Sequence, residues 1–416
     1  MSDCCEEFSS VSRRSLLRGA AGALGVGVGT TMFGSTFMQT TYAATQPAGN
    51  VLVLLSLRGG ADGLSLVVPH ADPAYYSARP GIAIPADQLL AKDAFFGLHP
   101  RLDPLLPLWN AGQVAAVHAT GLPAPNRSHF DAMEELEDAD PGSSARVGWL
   151  NRMIGQDTYT NPLEAVGMGM SVPITALAGP QPTVTTYSVD GLQLAGSGDG
   201  NAARRTSSVQ TLWAGAPGVV GAGARAALTA IADFDPVRST PETPANGAVY
   251  SDDGLGQALA AAARVIKGDV GAKVIAVDHE DDWDMHTGLG TLESGQMIHN
   301  AAALATSLAA FFTDLGALGS KVTVVTISEF GRRVRENANF GVDHGYGNVM
   351  FLLGGGVKGG YYGTWPGLED ADDADLAVTT DYRSVLSEIV VKRLGASSAA
   401  VFPGFAPETV GAVLTG

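Results

Sequence analysis

Two short loops gather the side chains best suited to chemistry. Trp283-Asp284-Met285-His286 and Gly341-Val342-Asp343-His344-Gly345 each set carboxylate oxygens beside an imidazole. Asp62, in the turn Arg58-Gly59-Gly60-Ala61-Asp62-Gly63, and Glu329, in Ser328-Glu329-Phe330-Gly331, add two more carboxylates. Such donors hold zinc, manganese or a similar divalent ion. Taken singly each has an ordinary explanation. An Asp in a glycine-rich turn is commonly a turn residue. Asp284 to His286 continues an acidic run from Asp278, as a solvated loop would. That run lacks the glycine and the glutamate of an EF-hand loop, which excludes one. Glu329 follows a buried run, where an unpaired carboxylate is costly.

A nucleophile candidate lies in Pro125-Asn126-Arg127-Ser128-His129-Phe130. Ser128 opens an expected helix, where free amides and the helix dipole favour a nearby anion. Asp131 three residues on makes the same serine a helix cap, and the two roles are compatible. Arg127 is suited to an oxyanion or to pairing with the acidic helix it precedes. Other motifs fail on context. Gly354 to Gly359 has dinucleotide-loop spacing, but Tyr361 to Pro366 follows instead of a helix. There is no G-x-S-x-G elbow and no H-E-x-x-H helix. His70, His99, His118, His279 and His299 lack evident partners and are read as structural.

Positioning these groups requires a sheet. Apolar runs at Val51–Leu57, Val114–His118, Lys273–Val277, Lys321–Ile327 and Val349–Leu353 are expected as buried parallel strands. Helical patterns over Ser128–Ala139, Leu255–Ile266, Gln296–Leu315 and Tyr382–Leu394 lie between them. The alternation predicts an α/β fold, a mainly parallel sheet with helices on both faces, and an insertion from about Val172 to Val270. Asp62, Asp284, His286 and Glu329 all follow strand runs, and ligands of open α/β sheets bind at that edge.

The remaining features concern export. Ser12-Arg13-Arg14-Ser15-Leu16-Leu17 is similar to a twin-arginine signal, followed by a Gly/Ala-rich stretch from Gly19 to about Phe37 and small residues at Ala43 and Ala44. Residues 1–44 are therefore expected to be a cleaved signal, and 45–416 an exported, periplasmic or secreted domain with no stable membrane span. No other stretch is expected to suffice for a bilayer. Cys4 and Cys5 would leave with the signal, so no disulfide is expected in the mature chain. The formal charge of −17 argues against a nucleic-acid partner, yet leaves room for a small anionic ester or a polymer substrate at a local cationic site.

In their order, Leu57 to Gly63, Arg127 to Phe130, Trp283 to His286, Ser328 to Arg332 and Asp343 to Gly345 resemble the bacterial family called domain of unknown function 1501, over nearly the whole mature chain. The family looks like a branch of the alkaline phosphatase/sulfatase superfamily. That resemblance implies a divalent metal ion holding a phosphate or sulfate ester, with Asp62, Asp284, His286, Glu329, Asp343 and His344 as metal site. Ser128 would be the nucleophile, and Arg127, His129 and Arg332 would bind substrate. Two departures stand out. The mid-chain pair is spaced Asp-x-His, where Asp-x-x-x-His is common and Asp282 would restore it. Phe330 stands where a metal-binding histidine is expected. The alternative is an exported binding or assembly protein that keeps the fold with a degenerate metal site.

Overall fold

The computed structural model describes residues 48–156, 161–194, 200–279 and 283–415. Residues 1–44, expected to be a signal and holding both cysteines, and Asp282 lie outside the described residues.

The strands are β1 (Val51–Leu57), β2 (Val67–Val68), β3 (Gly97–Leu98), β4 (Val114–Gly121), β5 (Ala165–Met168), β6 (Val184–Thr186), β7 (Val274–His279), β8 (Val322–Ile327), β9 (Asn348–Gly354), β10 (Gly360–Tyr362) and β11 (Thr380–Asp381). The longer helices are α1 (His129–Asp138), α2 (Ala202–Ala214), α3 (Gly218–Asp233), α4 (Gly254–Gly268), α5 (Gln296–Leu315) and α6 (Tyr382–Lys392). Nine strands form one sheet in the order β10-β4-β9-β8-β1-β7-β5-β6, with β11 beside β4. The pairs β8-β1, β1-β7, β7-β5, β5-β6, β4-β10 and β4-β11 are parallel. The α/β fold is thus mainly parallel, as expected.

One expected strand runs the other way. β9 is antiparallel to both β4 and β8. A buried apolar run carries no mark of direction, because both faces are covered whichever way it runs. The reversal matters for the site. The segment entering β9 lies at the same edge as the segments leaving β1, β4, β7 and β8.

Strand β1 shows why the sheet is two-sided. Val51, Val53, Leu55 and Leu57 face one core, shared with Leu259 of α4 and Leu304 of α5. Leu52 and Leu54 face the other, shared with Leu136 of α1 and Leu386 of α6. The period of two sends alternate side chains to opposite layers. The stretch Gln296–Lys321 is long and apolar enough to cross a membrane, with a mean hydropathy of 1.5, contrary to the sequence-based expectation. Its α5 portion serves here as a core helix, burying Leu304, Leu308 and Phe311. Within the segment read as an insertion, β6 extends the sheet and α4 packs on the core, whereas α2 buries no side chain.

Candidate metal centre

Four loops reach the edge where β1, β4, β7 and β8 end. The turn after β1 is locked to the loops after β7 and β8 by backbone shape. Gly59 has φ +110°, and a Cβ there would lie 2.6 Å from the Asp284 amide nitrogen. Gly60 has φ +62°, and a Cβ would lie 2.6 Å from the Phe330 ring. Both conformations favour glycine. The turn after β1 can therefore press against the Asp284 loop and the Phe330 loop at once.

Three imidazoles and one carboxylate converge above that turn. The oxygen Asp284 Oδ1 lies 3.5 Å from His129 Nε2, 3.2 Å from His286 Nε2 and 3.4 Å from His344 Nε2. His344 Nε2 is 2.9 Å from Nε2 of both His129 and His286. Zinc–nitrogen bonds of about 2.05 Å give a tetrahedron with edges of roughly 3.3 Å, so this spacing fits one divalent ion. His129, Asp284 and His344 form a group that could hold a metal, and His286 Nε2 lies beside it, 2.9 Å from His344 and 3.2 Å from Asp284.

The outer nitrogens fix which way the lone pairs face. His129 Nδ1–H donates to Glu329 Oε1 at 2.7 Å, and His286 Nδ1–H donates to Asp343 Oδ1 at 3.0 Å. His344 Nδ1–H donates to the Arg127 carbonyl at 2.9 Å. Ionised carboxylates and carbonyls only accept, so each neutral ring must carry its proton on Nδ1. All three Nε2 lone pairs then point inward, toward one another and toward Asp284. Such a donor set calls for a cation at its middle, and carboxylate- or carbonyl-anchored histidines are the usual outer layer of metal sites.

Electrostatics agrees. Burial works against charge on His129, but Asp284 and Glu329 outweigh it and lift the imidazole to about 9. Burial also opposes ionisation of Asp284, yet His129, His344 and Arg332 hold its carboxyl well below the usual range. Glu329 is likewise held down, against its own burial, by His129 and by the Gly59 amide. A proton on His129 and a metal ion at the centre are therefore competitors for the same negative field.

The structure brings Asp284, His286 and His344 together and places several other candidate residues elsewhere. Asp62 is fully buried and points away into a pair with Arg79, 2.5 Å from Oδ2 to Nη1, with Ser65 also donating to it. Glu329 and Asp343 stand one layer back, orienting His129 and His286. His129, expected to touch substrate, offers its Nε2 to the centre instead. Arg332 is buried and committed: it donates to the carbonyls of Gly59, Gly60, Trp283 and Val342 and to Asp284 Oδ1. It holds Asp284 in place and has no face left for a substrate. Arg127 pairs with Asp375 and not with the acidic helix α1 that it precedes. Ser128 caps α1, accepting from the Asp131 amide at 3.5 Å, and is exposed. Phe330 is buried, its ring 4.8 Å from those of both His129 and His344, where it walls the centre with carbon.

The role of His129 had a faint signal in the sequence. It sits at the start of a helix beside the candidate nucleophile, but its partners lie 200 and 215 residues away.

Residues 109–391 match the family described as a protein of unknown function, DUF1501. No curated protein matches the chain. Among solved structures it is similar to the C-terminal periplasmic domain of EcEptC from Escherichia coli in complex with Zn, at 12% identity and a TM-score of 0.33, over 76% of this chain and 77% of that one. It is also similar to the lipoteichoic acid synthase LtaP from Listeria monocytogenes, at 10% identity and a TM-score of 0.32, over 89% of this chain and 74% of that one.

Proposed function

The chain belongs to the DUF1501 family, and from its site we propose that it is an exported, metal-dependent hydrolase of phosphate or sulfate esters. One observation carries this reading: Asp284 Oδ1 and the Nε2 atoms of His129 and His344 lie 2.9 to 3.5 Å from one another, His286 Nε2 stands beside Asp284 and His344, and each ring is anchored from behind. His129, His286, His344 and Asp284 would hold one divalent ion, zinc before others because nitrogen donors dominate. A bound divalent ion supplies Lewis acidity, acidifying a nearby hydroxyl and balancing charge on an ester oxygen.

The chain's own groups do the rest. The segment Arg127 to His129 contributes three parts in three residues: a carbonyl that orients His344, a hydroxyl on Ser128 and the ring of His129. Ser128 is the nucleophile in this reading, its Oγ at the helix start where amide dipoles favour the forming negative charge. Arg332 and Glu329 keep Asp284 and His129 aimed. Phe330 excludes water from one wall.

Phe330 also favours a second reading, an exported binding or assembly protein. A carbon side chain where a further ligand is expected leaves a single ion site, and one ion can serve recognition without turnover. The two readings separate on purified protein prepared without added metal. The hydrolase reading expects about one zinc or similar ion per chain, absent from His129→Ala and His344→Ala, and chelator-sensitive release of p-nitrophenol or nitrocatechol from phosphate or sulfate esters. Bound metal with no turnover on either ester class would leave the binding protein. A chain that takes up no metal on titration would end both metal readings.

A further inference from the structure

A second charged assembly adjoins the centre. Residues 369–375 read Glu-Asp-Ala-Asp-Asp-Ala-Asp, and four of those carboxylates are spent on three arginines. Asp375 bridges Arg127 through Oδ2 and Arg333 through Oδ1, the latter at 3.2 Å. Asp373 lies 3.3 Å from Arg333, and Asp370 and Asp372 both engage Arg335. The Val334 amide donates to the Ala374 carbonyl at 3.0 Å, so the acidic segment lies along residues 333–335 like a short strand.

The arginines are tied to the candidate ligands by backbone. The Arg127 carbonyl receives His344 Nδ1–H, and the Arg333 amide donates to the Asp343 carbonyl at 2.9 Å. We propose that Arg127, Arg333 and Arg335 form an anion-binding track leading from the metal centre, suited to a polymer bearing sulfate or phosphate groups, and that segment 369–375 lies in it as an internal mimic of that polymer.

Three features support the assignment. Arginine's planar fork matches sulfate and phosphate oxygens as well as it matches carboxylates. The middle of the occupant is loosely held, with Asp372 and Asp373 87% and 97% exposed as side chains in ion pairs that contribute little, while Asp370 and Asp375 sit deeper. The protein is strongly acidic overall, so a polyanion could approach only along a local cationic path. The inference rests on the metal-centre reading only for which end of the polymer would react.

Binding without turnover tests it. Dextran sulfate and long-chain polyphosphate are titrated separately into the metal-stripped full chain at low salt. A variant with D370N, D372N, D373N and D375N should bind at least one of them tenfold or more tightly than wild type. A control with D103N, D190N, E242Q and D252N makes the same charge change elsewhere and should gain less than threefold. Adding R127Q, R333Q and R335Q to the first variant should return affinity to wild type or below. Tightening for one polymer alone identifies the group recognised. Equal gain in test and control variants, or no loss on removing the arginines, overturns the proposal. Hydrogen exchange on wild type is an independent check: saturating polymer should speed exchange across 369–375, and unchanged exchange there also overturns it. Metal content is measured separately, so a failed metal centre and a failed track give different results.

Discussion

Two aspartate–arginine pairs stand just beyond strand ends, and they have opposite characters. Asp62 and Arg79 are both inaccessible, their side chains 1% and 0% exposed. Every oxygen of Asp62 is used inward, by Arg79 and Ser65. Arg332 is as buried as Arg79, but its partner Asp284 is 40% exposed and turns one oxygen toward three imidazoles. The same chemistry closes a gap in one place and aims a ligand in the other. What separates them is the company kept on the carboxylate's far side, which residue type alone does not reveal.

Asp62→Ala should break the closed pair most severely. It strands a fully buried guanidinium, and such losses cost about 3–5 kcal/mol. Urea unfolding should show that drop, while the folded fraction still binds metal. Asp284→Ala should cost less stability, because four carbonyls still satisfy Arg332. It should instead abolish metal uptake. Equal stability losses in both variants would erase the distinction.

Histidines sharpen the same contrast. Burial holds His118, stacked 3.7 Å from Phe96, down to about 3, and, with Arg101 adding to it, holds His99 down to about 4. His129 has carboxylates beside it and goes the other way. A depressed histidine binds its proton more readily in the unfolded chain. The stability from His99 and His118 is therefore full above about pH 6.5 and lost as pH falls through about 4 and about 3. The metal-free protein should lose on the order of 3 kcal/mol over that window through His99 alone. His99→Gln should flatten that part of the melting-temperature profile, and an unaltered slope would contradict the assignment.

Outer-layer changes should be milder. Glu329→Gln keeps the shape but weakens the hold on His129, and metal affinity should fall roughly 10- to 100-fold, as for other outer-layer partners. Asp343→Asn, acting on the more exposed His286, should cost roughly tenfold or less by the same logic. Competition with a chromophoric chelator measures both. A larger effect from Asp343 than from Glu329 would mean that His286 is the dominant ligand.

Much of this was legible in sequence, for physical reasons. Fully buried runs such as Val51–Leu57 announce themselves by composition, and polar residues directly after them mark the functional edge. Asp284 and His286 were readable on that basis, and His344 from its place beside Asp343 in the loop before Val349–Leu353. Asp62 was misread because its partner Arg79 lies 17 residues on, in a segment with no strand run to mark it. His129 stands with the candidate ligands and Glu329 behind it, which sequence could not show because their pairing spans 200 residues. The direction of β9 was invisible, and β5, β6, β10 and β11 are too short for their pattern to rise above the surrounding loops.

The spread of the converging groups along the chain has a consequence for synthesis. His129, Asp284, His286 and His344 emerge from the ribosome in that order, the last when more than four-fifths of the protein has been made. A nascent chain ending before His344 holds at most three of the four groups, and β9, which fixes the final one, follows it immediately. An ion at this centre thus cannot act as an early template. Because β9, β10 and β11 also follow His344 in the chain, capture of an ion and closing of the sheet would both belong to the last stage of folding.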